Sequence, residues 1–269
     1  MKNLRMLFCM LMGLLIGSVL GIVIANLTHN QQKKKHAQMA ATEVTATADA
    51  TAGDVATPME EQMHTAQDAT GTDAAVPDEA QPEALTEILN RSLVSYAQLA
   101  EVSCRQLVVV DADHDKATIS MYICDTDGKW TDTGLTTEGY VGANGVSRES
   151  YEGSRMTPAG VFPIGEAFYI EEKPNTALST FQITEYTYWV DDEDSEVYNQ
   201  RIELYGEKTW QSAEHMIEYT DAYKYGFVVE YNQNPVEPGR GSAIFFHVGQ
   251  QPTLGCIATT EDMVLAYLA

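Results

Sequence analysis

From residue 31 to about residue 81 the chain has almost no aromatic or branched aliphatic side chain. It is built from Ala, Thr, Gln, Asp and Glu, and after Lys35 its only full charges are negative. Such a stretch cannot bury enough apolar surface to offset the entropy of ordering it, so a disordered, extended tether is expected there. The length of the chain allows one domain of ordinary size plus such non-globular extras. Apolar residues make up 44% of the chain, but the first third reaches its share largely through alanine and one N-terminal run.

That run comes after Lys2 and Arg5 and stays apolar over residues 6–25. About 20 residues at ~1.5 Å rise cross a ~30 Å hydrocarbon layer, which makes residues 1–27 an expected transmembrane anchor. The end of the run, Val23-Ile24-Ala25, matches a signal-peptidase site poorly, so a retained single-pass helix is favoured over a cleaved signal and a secreted product. Cys9 comes too early for a lipoprotein cysteine. Lys33-Lys34-Lys35 just past the span run against the positive-inside pattern, so orientation rests on the downstream domain, expected outside the cell membrane. A formal net charge of −23 excludes nucleic acid as a partner, because phosphate binding needs a basic surface.

After the linker, residues 28–82, the periodicity becomes helical. Leu85, Ile88, Leu89, Leu93, Tyr96 and Leu99 share one face, which predicts an amphipathic helix over 83–103. From residue 104 to 269 the pattern is that of strands, at 106–110, 117–123, 161–164, 227–231 and 243–247, separated by Gly- and Pro-rich turns. Thr260 and two succeeding acids announce a short C-terminal helix over 261–268. Strands and long helices do not alternate, so the expected class is mainly β (α+β).

The chemistry-bearing stretch lies near the C-terminus. Ile244-Phe245-Phe246 delivers His247, a polar turn with Pro252 comes next, and Cys256 stands nine positions after the histidine in Thr253-Leu254-Gly255-Cys256-Ile257. A cysteine nucleophile needs a base within reach and N–H donors aimed at the developing oxyanion. A strand end, a tight loop and a Gly-Cys peptide can supply these.

This segment resembles the active-site signature of the YkuD-type L,D-transpeptidases, a histidine followed by Ser/Thr-x-Gly-Cys-Ile/Val. The resemblance continues in order through Tyr140-Val141-Gly142-Ala143-Asn144-Gly145, Thr157-Pro158-Ala159-Gly160, Trp189-Val190-Asp191-Asp192, Tyr198-Asn199, Tyr225-Gly226-Phe227 and Gly239-Arg240-Gly241-Ser242. Leu254 stands where many members carry a histidine, and Ala258 where many carry an arginine.

The resemblance implies a sandwich of two mixed sheets with short helices, and cysteine-dependent acyl transfer on peptidoglycan stem peptides without a cofactor. It makes Cys256 the nucleophile and His247 the base. Gly255 and Cys256 become oxyanion donors. The group that orients the imidazole is left open between Thr253, a backbone carbonyl near Val248 or Gly249, and an acid elsewhere. Tyr225, Thr157 and Gly160 are candidates to shape the substrate groove or to serve as framework. Arg155 and Arg240 are candidates for a stem-peptide carboxylate. Hydrolysis by the same residues (an L,D-carboxypeptidase or amidase) and a non-catalytic peptidoglycan-binding domain remain as alternatives. A sortase is disfavoured because no Lys or Arg comes after Cys256. No metal is expected, since the domain lacks paired His or Cys spacings.

The other domain cysteines raise a question of register. A hairpin turning symmetrically about His114 pairs residues whose numbers add to 228, and Cys104 and Cys124 satisfy that sum. They would then face each other at ~4.5–5.5 Å between Cα atoms, within disulfide range, leaving Cys256 as the one free thiol of the domain.

Overall fold

The computed structural model describes residues 19–26, 81–92 and 94–269. Strand β1 (Val19–Asn26) is followed by helices α1 (Glu83–Ser92) and α2 (Tyr96–Glu101). The chain then forms β2 (Cys104–Asp113), β3 (Lys116–Cys124), β4 (Trp130–Tyr140), β5 (Val146–Ser147), β6 (Thr157–Pro158) and β7 (Gly160–Tyr169). Next come β8 (Thr180–Gln182), β9 (Thr187–Val190), β10 (Arg201–Glu203), β11 (Ala213–His215) and β12 (Tyr225–Val229). The chain closes with β13 (Phe245–Val248), β14 (Ile257–Thr259) and α3 (Glu261–Leu268). The class is mainly β with mixed sheets and short helices, as expected.

The strands fall into a nine-stranded mixed sheet, ordered β1-β2-β3-β4-β14-β13-β12-β7-β8, and sheets of three (β10-β9-β11) and two (β5-β6) strands. β1 pairs parallel with β2 and antiparallel with β7, so the large sheet curls back on itself where two separate layers were anticipated.

β1 also departs from the anchor expectation, since residues 19–26 belong to the apolar run read as a membrane helix. Val19, Ile22, Val23 and Ile24 are β-branched, and the edges of β2 and β7 offer them a ladder on both sides. No helix among the described residues is long and apolar enough to cross a membrane. The rest of the expected anchor, and the linker up to residue 80, lie outside the described residues.

The predicted helix over 83–103 is two helices, because Ser95 caps the second. Its hydroxyl accepts from the Gln98 N–H, and the Gln98 side chain accepts from the Ser95 N–H. Leu85, Ile88, Leu89 and Leu99 pack with Leu107, Val109, Tyr122 and Trp130 on one face of β2–β4. Val108, Val110 and Ala112 point the other way, into the main core with Ile119, Phe227, Phe246 and Ile257. Both faces of β2 are thus covered, which explains a continuous apolar run where a half-exposed strand would alternate. The C-terminal helix has its expected bounds, although the Thr260 side chain makes no cap bond.

The β2–β3 hairpin corrects the cysteine expectation. Asp113 pairs with Lys116 and Gln106 with Ile123, so paired numbers add to 229 and the turn has two residues, with His114 at φ 57°. A two-residue link matches strand twist better than the symmetric three-residue turn assumed for the bridge. Cys104 and Cys124 therefore fall one residue out of register, and no disulfide joins them. They line a cavity of about 240 Å³ with Tyr96, Arg105 and Trp130, to which the Cys256 site contributes no wall.

Leu89 is 2% exposed under α1. Leu89→Ala is expected to lower the unfolding free energy by about 2–5 kcal/mol, as buried leucine truncations do. Urea denaturation of the two proteins checks this.

Candidate active site

β13 and β14 are adjacent and parallel, yet only a short loop joins them. Parallel neighbours ordinarily need a long crossover, so this loop has to be held from outside. Thr253 does so on its backbone: its N–H donates to Val141 O at 2.9 Å, and its carbonyl accepts from the Ala143 N–H at 2.9 Å. Two threonine hydroxyls finish the clamp. Thr253 Oγ1 donates to Cys256 O at 2.7 Å and accepts from the Gly255 N–H at 3.1 Å. Thr157 Oγ1, fully buried, accepts from the Gly142 N–H at 2.8 Å and donates to Gly255 O at 2.7 Å.

Glycine is required at two points of this clamp. A Cβ on Gly142 would lie 2.5 Å from Arg155 O and 2.8 Å from Thr157 N. Gly255 adopts φ +154°, where side chains are rarely tolerated, and a Cβ there would crowd the Ile244 side chain and Met156 O.

The clamp delivers Cys256 to the face shared by Phe245, Phe168, Trp189 and Tyr223. The thiol donates to Ala243 O at 3.2 Å, and Sγ accepts from the Phe245 N–H at 3.3 Å. Ala243 takes φ 53°, a conformation uncommon for a residue with a Cβ. Its N–H donates to Asn199 Oδ1 at 3.1 Å, and that oxygen also accepts from Trp189 Nε1 at 2.9 Å. Trp189, Asn199 and Ala243 thus aim a carbonyl at the sulfur.

His247 comes two residues after Phe245 on β13, so alternation puts its imidazole on the same face. Its Nδ1 lies 2.8 Å from Val248 O. A carbonyl can only accept, so Nδ1 carries the proton and Nε2 keeps its lone pair for a proton in transit. The Tyr223 ring stands edge-on to both Phe245 and His247, with centroids 5.4 Å away in each case. Its hydroxyl donates to Glu214 Oε2 at 2.5 Å.

Burial governs the electrostatics. It pushes the Cys256 thiol well above the ordinary range, with the Glu214 charge adding and the Phe245 N–H opposing. It also lowers His247, against the Val248 bond. Burial thus favours a neutral thiol and a neutral imidazole over an ion pair. Glu214 is raised to about 7, first by burial, with Asp191 and Glu152 adding and the Tyr223 bond opposing.

The structure thus brings Cys256, His247, Gly255 and Thr253 together, with corrections. The Gly255 N–H is committed to Thr253, which removes it as an oxyanion donor. Thr157 braces the loop from within and presents no surface to a substrate. Tyr225 shares its face with Phe227 and Val229 and packs into the main core, on the opposite side of the sheet from Cys256. Gly160 opens β7 and pairs with Ile24 of β1. Arg155 is exposed at φ 57°, just ahead of the loop segment against Gly255.

Glu214, Tyr223, Ala243 and Asn199 were not singled out by sequence. Tyr198-Asn199 lay within the resembling motifs without a role. Tyr223 lies outside the strand whose alternation could have assigned it a face, and nothing local marks Glu214. No group of side chains suited to a metal occurs among the described residues.

If the resting pair is uncharged, alkylation of Cys256 by iodoacetamide should climb about tenfold per pH unit from pH 7 to beyond the ordinary thiol range near ~8.5. A thiolate–imidazolium pair would instead give a plateau at neutral pH. Peptide mapping separates Cys256 from Cys104 and Cys124.

No curated protein and no solved structure matches the chain. A family model does: the L,D-transpeptidase catalytic domain, YkuD, matches residues 105–268, which take in the strands after β1, the clamped loop and the Cys256–His247 face. The chain belongs to the YkuD family of L,D-transpeptidase catalytic domains.

Proposed function

We propose that this protein performs cysteine-dependent acyl transfer on peptidoglycan stem peptides, with Cys256 as nucleophile and His247 as base. The observation that carries the reading is the Nδ1 bond to Val248 O, which leaves a basic Nε2 on the face that holds the thiol. His247 takes the thiol proton as sulfur attacks the carbonyl of the L,D bond. The Cys256 N–H is the oxyanion donor in this scheme, since Gly255 is bound to Thr253. His247 then returns the proton to the departing amine, D-Ala in a tetrapeptide stem, and a thioester remains on Cys256. A side-chain amine of a second stem attacks the thioester, giving the cross-link and restoring the thiol.

Because both groups rest neutral, proton transfer has to accompany attack, and loss of the base should be nearly as damaging as loss of the nucleophile. With a tetrapeptide stem, the wild type should release D-Ala and show a mass increase on the Cys256 peptide. Cys256→Ala should abolish both, and His247→Ala should slow them by about 10²–10⁴. Turnover by Cys256→Ala at the wild-type rate would remove the nucleophile assignment.

The same reading puts the domain outside the membrane on an N-terminal anchor. A membrane-spanning helix needs the whole apolar run over residues 6–25, so it would withdraw most of β1 from between β2 and β7. The two arrangements separate on deletion of residues 1–27. If the segment is an anchor, the product leaves the membrane fraction with its melting temperature unchanged. A clear fall in melting temperature would instead assign the segment to the sheet.

A further inference from the structure

The carboxyl of Glu214 is a half-buried acid that the two-residue mechanism does not use. It sits on β11, which pairs with β9 so that Glu214 is opposite Trp189, and it is held by the Tyr223 hydroxyl. Tyr223 packs on His247, and the Glu214 charge is felt at Cys256. Asp191, immediately after β9, has a buried Oδ1 that makes no hydrogen bond. Tyr219 is 46% exposed and its ring meets Tyr223 at 5.3 Å between centroids, so the aromatic cluster around this group reaches the surface.

We propose that Glu214, positioned by Tyr223 and assisted by Asp191, receives the amine acceptor: it binds the acceptor's ammonium group and takes its first proton. The proposal rests on the acyl-transfer reading and names the group that lets a protonated amine compete with water. A side-chain ammonium cannot attack a thioester until it loses a proton. Transfer of one proton to the Glu214 carboxylate gives the free amine. The amine nitrogen then bonds to the thioester carbonyl carbon and the C–S bond breaks. His247 carries the second proton from nitrogen to sulfur. Ammonium, thioester and carboxylate become amide, thiol and carboxylic acid, with protons and charge conserved.

The chemistry suits the site. A lysine-type amine titrates near ~10.4 and an ordinary glutamate near ~4.3, a gap of about six units that makes the glutamate a poor base for it. Raised to about 7 by burial, with Asp191 and Glu152 nearby, Glu214 stands much closer. Tyr223, raised by burial and by the Glu214 field, stays protonated as the donor to it. Water attacks uncharged and has no need of this step, so deacylation by water should not require proton transfer to Glu214.

The test is the partition of the Cys256 acyl-enzyme, formed by the full-length protein from a tetrapeptide stem, between acceptors. Three acceptors are compared at pH 7: a diamino-acid stem peptide, water, and methoxyamine, which is uncharged at that pH. In Glu214→Gln the amide-to-acid product ratio with the stem amine is expected to fall at least tenfold, while the ratio with methoxyamine stays within about twofold. Tyr223→Phe, which keeps the ring, should shift the stem-amine ratio in the same direction. An unchanged stem-amine ratio in Glu214→Gln, an equal loss with methoxyamine, or a wild type that partitions only to water would each overturn the proposal. A wild type that forms no acyl-enzyme on Cys256 would instead overturn the underlying acyl-transfer reading. Circular dichroism identifies an unfolded variant, in which case Tyr223→Phe carries the test.

Discussion

One hydroxyl does much to make this site possible. Thr157 Oγ1 joins the Gly142 N–H to the Gly255 carbonyl inside the protein, where neither backbone group can turn to water. An unmade bond to a buried polar group costs about 1–3 kcal/mol, so the loop between two parallel strands is strongly held to this arrangement. Thr253 repeats the device from the loop itself. Cys256 is therefore positioned by hydroxyls bonded to backbone, and the glycines at 142 and 255 exist because those backbones come so close.

The same burial that fixes the loop sets the resting chemistry. Cys256 and His247 lie almost out of reach of solvent, and both are driven toward their uncharged forms. Neutral partners avoid the desolvation cost of a buried ion pair, which often exceeds its Coulombic gain. The carbonyl of Ala243 and the N–H of Phe245 hold the sulfur meanwhile, one accepting and the other donating. The strained φ of Ala243 is maintained from behind by Asn199 and Trp189, whose bonds over-determine it.

The three-stranded sheet gives this arrangement its second half. β9 supplies Trp189 to the aromatic packing around Phe245, and β11 supplies Glu214 to Tyr223. The small sheet is consequently a wall of the site and not a decoration of the fold. The match to the YkuD family covers the cysteine loop; the geometry adds Glu214, whose carboxyl accepts from the tyrosine packed on His247.

Much was legible in the sequence because it is local. Apolar runs mark β2, β3, β7, β12 and β13 but leave β4 to β6, β8 to β11 and β14 unmarked; Thr260 and the acids after it mark α3, and the Thr-x-Gly-Cys element with His247 marks the candidate centre. What failed required knowledge of partners. The two-residue turn at His114 shifted Cys104 against Cys124 by one position, a difference no composition reveals. Tyr225 and Tyr223 differ only in which side of the sheet receives them, and Thr157, open in the sequence between groove and framework, is framework because its partner is the Gly255 carbonyl. The sequence by itself determined the residue types and the spacing that make a cysteine–histidine chemistry feasible. Only the tertiary structure decided which acid and which tyrosine meet it, because those contacts join β11, the segment before β12 and the β13–β14 loop, which no periodicity along the chain relates.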